Sequence, residues 1–211
     1  MSPTPTDRTA TSDETWQDEW RPVVDAVGRD FLDGEVTWGG DPVEAGAIRR
    51  YLEPLELDCA LHTDHEAARA GGFDDVTMPY TGVMPWTLPA AWEPGQVLFD
   101  SDDRDAQPVH SAINDSGLGI GPRTTGFFGT DVELDFLRPV VAGERLGRRG
   151  KTLVSCKPKE TSVGRGAFMT WESEVVSDRG GAEPEVVARI RIGTYAYVPR
   201  AVEPARTEEA R

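Results

Sequence analysis

The chain predicts an α+β domain, because helical patterns fill its first half and strand patterns fill its second half. Apolar residues recur at three- and four-residue steps over residues 15–31, a spacing typical of an amphipathic helix. Beyond residue 130, segments rich in β-branched and aromatic residues follow one another with turn residues between them, which indicates an antiparallel meander. Helices first and strands afterwards favour α+β architecture over alternating βαβ units.

Composition limits the size of the fold and its partners. With 211 residues, 38% of them hydrophobic, the chain suffices for one sizeable core. A formal net charge of -15 repels phosphate backbones and anionic lipid, which argues against nucleic-acid or membrane partners. Two cysteines and the lack of a long apolar run predict a cytosolic chain without a disulfide framework.

Polar composition marks the predicted domain boundaries. Residues 1–14 and 201–211 are polar or charged without hydrophobic periodicity, so we expect disordered tails around a single domain over residues 15–200. Within that domain, residues 93–122 are rich in Pro, Gly, Asp and Ser. A structureless run of this length is usually functional, and we expect a loop insertion over the mouth of the active site.

The first half of the domain predicts several short elements. After the N-terminal helix, residues 35–38 predict a strand and residues 42–52 a helix, which Pro54 ends. Residues 63–70 predict a helix with Thr63 as its N-cap. The apolar segment 80–92 contains Pro85 and Pro89, so we expect a short or kinked helix there.

The second half predicts strands, and their turn residues set the limits. The predicted strands cover residues 130–137, 151–156, 167–176 and 185–198. The last two are joined by the turn sequence 178–181, which carries two glycines.

One segment carries a pattern of acid/base groups. It reads Leu61-His62-Thr63-Asp64, followed by Gly72-Phe73 and by Pro79-Tyr80-Thr81-Gly82. This segment resembles the active-site motif of the MaoC-like dehydratases and hydratases, in which an acid precedes Asn-Pro-aliphatic-His-x-Asp. With the stretch 133–144, the resemblance extends over roughly residues 34–199. Over this range the chain is similar to the FAS1-like dehydratase branch of the family. It implies a hot-dog fold, an antiparallel sheet wrapped around a central helix.

The resemblance also implies the site residues. His62 matches the family histidine, an acid/base group that works without a cofactor. The family acid falls at Leu57, and the nearest carboxylate is Asp58; Asp58 either takes over its role or points away while Leu57 fills the pocket. The oxyanion donors would be the backbone N–H groups of Tyr80, Thr81 or Gly82, since Pro79 has none.

Other polar residues near the motif have simpler roles. Asp64 is expected to cap the following helix. His62 and His65 could share a helix face, but the sequence offers no further ligand, so we predict no metal site. His110, in the loop insertion, either enters the site as a replacement group or stays solvated.

The resulting functional hypothesis is a 3-hydroxyacyl-thioester dehydratase or enoyl-CoA hydratase. The alternatives are a non-catalytic subunit paired with a catalytic MaoC-like chain, an acyl-thioester-binding module and a thioesterase of the same fold. The expected partners are an acyl thioester, carried by CoA or a carrier protein, and a second hot-dog chain in a homodimer or heteromer joined through sheet edges. The candidate basic residues for contact with an anionic carrier are Arg123, Arg138, Lys157, Lys159 and Arg165.

Overall fold

A five-stranded antiparallel sheet forms the body of the molecule. The computed structural model describes residues 15–106, 108–109, 119–179 and 183–200. The strands are β1 (Val36–Trp38), β2 (Gly126–Phe136), β3 (Arg145–Glu160), β4 (Gly164–Asp178) and β5 (Glu185–Pro199). Their order in the sheet is β1-β3-β4-β5-β2. The predicted tails, residues 1–14 and 201–211, lie outside the described residues.

The two faces of the sheet differ in chemistry. On the inner face, Leu153, Trp171, Ile192 and Val132 form one row across four neighbouring strands, and the helices pack here. On the outer face, the adjacent row carries charged side chains. Register shifts interrupt β2, β3 and β4, and such bulges strengthen the curl of a sheet. The α+β class and the hot-dog fold are confirmed.

The helices are short. They are α1 (Thr15–Asp18), α2 (Arg21–Asp25), α3 (Ala45–Leu52), α4 (Ala60–Thr63), α5 (His65–Ala70) and α6 (Val83–Trp86), with 3-10 turns at Glu53–Leu55 and Tyr80–Gly82. Within the described part of the chain, no helix is long and apolar enough to cross a lipid bilayer.

The prediction of one N-terminal helix over residues 15–31 was wrong. The chain forms α1 and α2 instead, with Pro22 in the first turn of α2, where a missing N–H costs nothing. Beyond α2, the Asp30 carboxylate accepts backbone N–H groups of Leu32, Gly34 and Lys151, and it thereby fixes a turn against β3. The apolar spacing was nevertheless informative in part, since Trp20 and Val23 are buried against the sheet, whereas Val24 and Val27 are exposed.

Two apolar clusters hold the helices on the inner face. In the first, α3 and α6 pack on the sheet through buried residues that include Ile48, Val83, Leu146 and Ile190. In the second, α2 covers the end of the sheet near the β3–β4 hairpin through Trp20, Val23, Leu153, Met169 and Ala196. Burying each such side chain contributes about 1.5–3 kcal/mol.

The central helix is short, as its prolines predict. Tyr80–Gly82 forms a 3-10 turn, and α6 adds only Val83–Trp86. Thr87 ends it by donating its hydroxyl to the Met84 carbonyl. Arg148 of β3 donates to Thr87 Oγ1 at 3.0 Å and lies 3.5 Å from Met84 Sδ. These contacts fasten the end of the helix to the sheet. Burial lowers the pKa of the guanidinium.

The described part of the loop insertion, residues 93–106, 108–109 and 119–122, contains no helix or strand. The C-terminal end of the loop insertion packs near α2. Ile120 contacts the second cluster, and Gly121 lies too close to Val23 for a side chain to fit. His110 lies outside the described residues. Closure of this loop over the site stays a prediction.

The acid at the start of β3 is a buried structural group. Glu144 is 3% exposed, and it accepts hydrogen bonds from Val141 N, Arg138, Ser177 Oγ and Arg179. Burial opposes its charge, but the hydrogen bonds from Arg138, Ser177 and Arg179 outweigh burial and hold the pKa of Glu144 below its ordinary value. Arg138 is therefore engaged by carboxylates within the fold, which argues against the predicted contact with an anionic carrier.

We predict that Glu144→Gln lowers the free energy of unfolding by on the order of 3 kcal/mol, because it takes the buried charged partner away from the Arg138 guanidinium, whose side chain is 19% exposed. Urea unfolding measures the change. Glu185→Gln is the matched control, since it removes the other carboxylate contacting Arg138 at a side chain that is 55% exposed, and it should cost under about 1 kcal/mol. Equal costs would contradict a special role for Glu144.

The same carboxylate predicts a pH dependence. Since the pKa of Glu144 is lower in the folded chain than in the unfolded chain, its stabilisation is complete above the unfolded-state pKa of about 4.3. It disappears as the pH falls through the folded-state pKa. Between about pH 5 and about pH 3, the wild type should therefore lose more stability than Glu144→Gln; parallel losses in unfolding titrations would contradict this.

The two free cysteines should differ in reactivity. Burial raises the pKa of Cys156 to about 11, so at pH 8 only about one thiol in a thousand is ionised there. Cys59 is half-buried. We expect a chromogenic disulfide reagent to modify Cys59 in the native protein and Cys156 only after unfolding, and Cys59→Ser should remove the native reaction. Fast labelling of Cys156 would contradict its place in the core.

Candidate active site

The extended segment 76–78 connects residues 140–142, which precede β3, to the helices that carry the motif. Its Met78 N–H donates to Val140 O at 2.7 Å, and its Val76 carbonyl accepts from Ala142 N at 3.0 Å. On its other side, Thr77 N–H donates to Leu61 O of α4 at 2.8 Å. Val76, Thr77 and Met78 are all buried. The segment therefore fixes the position of α4 relative to residues 140–142.

His62 is fixed by this segment. Its Nδ1 lies 2.8 Å from Thr77 O and 2.9 Å from Thr77 Oγ1. A carbonyl oxygen can only accept, so we assign the ring proton to Nδ1 from its contact with Thr77 O. In the neutral ring, Nε2 then carries the lone pair, and no described residue bonds to it. His62 is half-buried, and this arrangement presents a proton acceptor of fixed direction.

The second histidine of the motif makes a different contact. His65 Nδ1 lies 2.5 Å from Asp75 Oδ1. The Val76 backbone N–H also donates to Asp75 at 2.7 Å, and this bond together with His65 holds the pKa of Asp75 below its ordinary value. Through this contact, His65 ties α5 to the start of segment 76–78. The described residues contain no group of ligands suited to a metal ion.

The N-cap of α5 is Asp64 rather than Thr63. Thr63 is the last residue of α4, and Asp64 is the N-cap of α5. The Asp64 carboxylate accepts from Glu66 N at 2.8 Å and Ala67 N at 3.2 Å. The capping role of Asp64 is confirmed, while Thr63 as N-cap was wrong by one residue, because a break separates α4 from α5.

The proposed oxyanion donors follow segment 76–78 directly. Gly82 N–H already donates to Pro79 O at 2.8 Å, whereas the N–H groups of Tyr80 and Thr81 precede the first hydrogen bond of the turn. Both residues are exposed. Tyr80 and Thr81 are therefore the better donors of the three, and since the turn and α6 are short, a hydrogen bond contributes more than a helix dipole.

Asp58 is not drawn toward His62. It lies in extended backbone before α4 and is exposed, and no hydrogen bond or ion pair joins it to another described residue. Leu57 is 42% exposed, so within this chain it fills no pocket. The structure holds His62 against Thr77, three positions before Tyr80 in the chain, but it leaves the position of the acid open to solvent.

The apolar residues near the central helix mostly belong to the core. Met78 is buried, and Met84 and Trp86 pack against the first cluster. Trp92 is 48% exposed and donates its indole N–H to Gln96 O. Core packing thus accounts for the positions of Met78, Met84 and Trp86.

Sequence patterns did not reveal the residues that hold the two histidines. Thr77 and Asp75 lie 15 and 10 positions beyond their partners, which is too far for local periodicity to report. Alternation of small and apolar residues over 76–78 was the available signal, because it is typical of a short buried strand.

Comparisons with known proteins concern both family and fold. A model of the FAS1-like, dehydratase domain region matches residues 26–183. A probable enoyl-CoA hydratase alpha subunit from Thermomonospora curvata is 27% identical over 177 residues, which is 84% of this chain and 51% of that protein. The chain therefore spans about half the length of this curated relative.

Solved structures share the fold at low identity. A chain of the ChsH1-ChsH2 complex from Mycobacterium tuberculosis superimposes with a TM-score of 0.57 at 20% identity, covering 90% of this chain and 99% of that one. The monoamine oxidase regulatory protein from Archaeoglobus fulgius gives a TM-score of 0.50 at 18% identity, covering 82% and 99%. At this identity, the likeness establishes the fold.

We predict that Gly82→Ala destabilises the site. A Cβ at Gly82 would lie 2.2 Å from the Trp86 ring, and overpacking of about 1–3 kcal/mol outweighs the gain of about 1 kcal/mol from replacing a helical glycine. Gly46→Ala in α3 is the control, since its Cβ meets nothing within 4 Å and should stabilise. Thermal unfolding measures both; a stabilising Gly82→Ala would contradict the packing around Trp86.

Proposed function

Since this chain belongs to the FAS1-like dehydratase family, we propose that it forms the His62 site of a hydro-lyase acting on acyl thioesters. The reaction is hydration of an enoyl thioester, or its reverse, loss of water from the 3-hydroxyacyl form. The observation that carries the proposal is the fixed ring of His62, whose Nδ1 is held by Thr77 at 2.8 Å while Nε2 is left to accept a proton.

The chemistry assigns one task to each group. In hydration, His62 Nε2 removes a proton from water as its oxygen bonds to the β carbon. The electron pair of the alkene moves to the α carbon and the thioester oxygen, and the N–H groups of Tyr80 and Thr81 stabilise the resulting negative charge. A proton is then delivered to the α carbon. Dehydration reverses these steps.

The source of the second proton divides the proposal into two candidates. In the first, Asp58 acts in this chain and swings toward the thioester when substrate binds. In the second, this chain supplies half of a site and a second hot-dog chain provides the missing acid/base group. The exposure of Asp58 and Leu57 favours the second candidate, and so do the subunit and complex named for two of its relatives.

We expect His62→Ala to lower kcat/KM for hydration of an enoyl-CoA panel by about 10²- to 10⁴-fold, the range for a lost general acid/base. Loss of absorbance of the conjugated thioester measures the rate. His65→Ala is the matched control, because it removes a histidine of the same motif whose contact is structural, and its effect should appear in stability more than in turnover.

Asp58→Asn separates the two candidates. A self-sufficient enzyme would hydrate the esters alone and lose most of its rate with this substitution. A half-site would be inactive alone, gain activity when a hot-dog partner chain is added and respond weakly to Asp58→Asn. Activity that is indifferent to His62→Ala, with or without a partner, would overturn the proposal.

A further inference from the structure

Arg148 is a half-buried cation without a counterion in the described chain. It lies on β3, and its neighbours across the sheet are Thr37 of β1 and the fully buried Val175 of β4. Its contacts are with two neutral atoms, Thr87 Oγ1 and Met84 Sδ. Buried charges are normally paired. The chain has 37 acidic residues and 22 basic ones, so a scarcity of acids does not explain the missing partner.

Most of the hydrogen-bonding capacity of Arg148 is unused. A guanidinium has five N–H donors; one reaches Thr87 and another points at Met84. Three remain, two of them on Nη1, and no described residue accepts from them. Nη1 is not among the buried side-chain nitrogens that lack a partner, and the adjacent Thr37 is exposed. This side of the guanidinium therefore opens to solvent, where a ligand can reach it.

Arg148 and the proposed thioester site lie at opposite ends of one row of residues on the inner face. The row runs across β3, β4, β5 and β2 through Arg148, Val175, Ala188 and Phe136. At its far end, the Phe136 ring lies 4.4 Å from the ring of Tyr80, whose N–H group is a proposed oxyanion donor. Since neighbouring strands are about 4.8 Å apart, the row spans about 14 Å.

The central helix crosses the same strands in the same direction. It begins at Tyr80 beside β2 and ends on β3, where Met84 and Thr87 contact Arg148. From Tyr80 to Thr87, the rise of the 3-10 turn and of α6 adds up to about 12 Å, in agreement with the length of the row. An acyl chain that starts at the proposed donors and runs beside the helix would therefore end at Arg148.

Half-buried apolar side chains line this path. The neighbouring rows of the inner face carry Leu134, Ile192 and Trp171, which are only partly buried, as is Met84 of the helix. Such side chains suit the methylene groups of an acyl chain. A methyl end beside Arg148 would take water from the cation and give nothing in return. The path therefore favours an acyl group that is apolar along its length and anionic at its end.

We propose that Arg148 binds a carboxylate at the distal end of the acyl group, so that the substrates are monothioesters of dicarboxylic acids. A carboxylate accepts two parallel N–H groups of a guanidinium, which gives this contact its strength and direction. An extended chain advances about 1.3 Å per bond, so a span of about 12 Å with a hydrogen bond at each end fits about six to eight carbons. The assignment rests on the proposed function, which supplies the position of the thioester.

Calorimetric binding of matched ligands tests this assignment without turnover. The probes are suberyl-CoA, which has a terminal carboxylate, and its terminal methyl ester; both are saturated and cannot be hydrated. Wild type should bind suberyl-CoA at least about tenfold more tightly than the methyl ester. Because a net charge of -15 disfavours the more anionic ligand at long range, this preference requires a local cation.

Two variants locate that cation. Arg148→Met should reduce the preference to less than about twofold, because the charge-assisted hydrogen bonds are lost. Arg149→Met is the matched control, since it removes the adjacent guanidinium, which pairs with Glu174 at 2.6 Å on the outer face, and it should leave the preference intact. A preference that survives Arg148→Met overturns the assignment.

The remaining outcomes separate this assignment from the proposed function. Equal binding of acid and methyl ester by wild type contradicts only the role of Arg148. Binding of neither ligand contradicts the thioester site itself, and the assignment falls with it. If Arg148→Met does not fold, chain length decides in wild type. A preference that is largest at about six to eight carbons and small at about four supports the assignment, and one that is independent of length contradicts it.

Discussion

The arrangement of the site depends on one constraint, that the buried segment 76–78 must satisfy its backbone hydrogen bonds on both sides. A buried N–H or C=O without a partner costs as much as a lost hydrogen bond. Val76 and Met78 bond to residues 140–142, while Thr77 bonds to Leu61 and His62. Because the hydrogen bonds of the segment alternate between residues 140–142 and α4, α4 cannot shift without breaking bonds on one side.

The same constraint separates the roles of the two histidines. His62 and His65 lie three residues apart, yet a break at Asp64 between α4 and α5 turns them toward different partners. His65 meets a carboxylate, which makes it a tie between α5 and Asp75. His62 meets a carbonyl, which places the proton on one nitrogen and leaves the other without a partner among the described residues. Two neighbouring histidines of one motif thus have different partners, and only His62 is proposed as a base.

Local patterns in the sequence predicted the features of the fold that depend on interactions between residues close together in the chain. Alternation and turn residues located the strands, and Pro85 and Pro89 predicted a short central helix. Strand β3 was predicted six residues too short at its start, because Arg145, Arg148 and the glycines 147 and 150 hide its pattern. The contacts of Glu144 with Ser177 and Arg179 join distant segments, which periodicity cannot report. The resemblance located His62, whereas only the structure identified Thr77 as its partner.

The turn that carries the proposed donors borders strand β2, since the Tyr80 ring lies 4.4 Å from the Phe136 ring. The proposed reaction requires His62 to accept a proton at Nε2, and this requires the neutral ring to carry its own proton on Nδ1.

The most direct test is therefore a long-range proton–nitrogen correlation spectrum of the three histidine rings, with His62 assigned by its absence in His62→Ala. The account predicts that neutral His62 carries its proton on Nδ1 and shows an unprotonated Nε2. A proton on Nε2 in the neutral ring would contradict the Thr77 hydrogen bond and, with it, the assignment of His62 as the base.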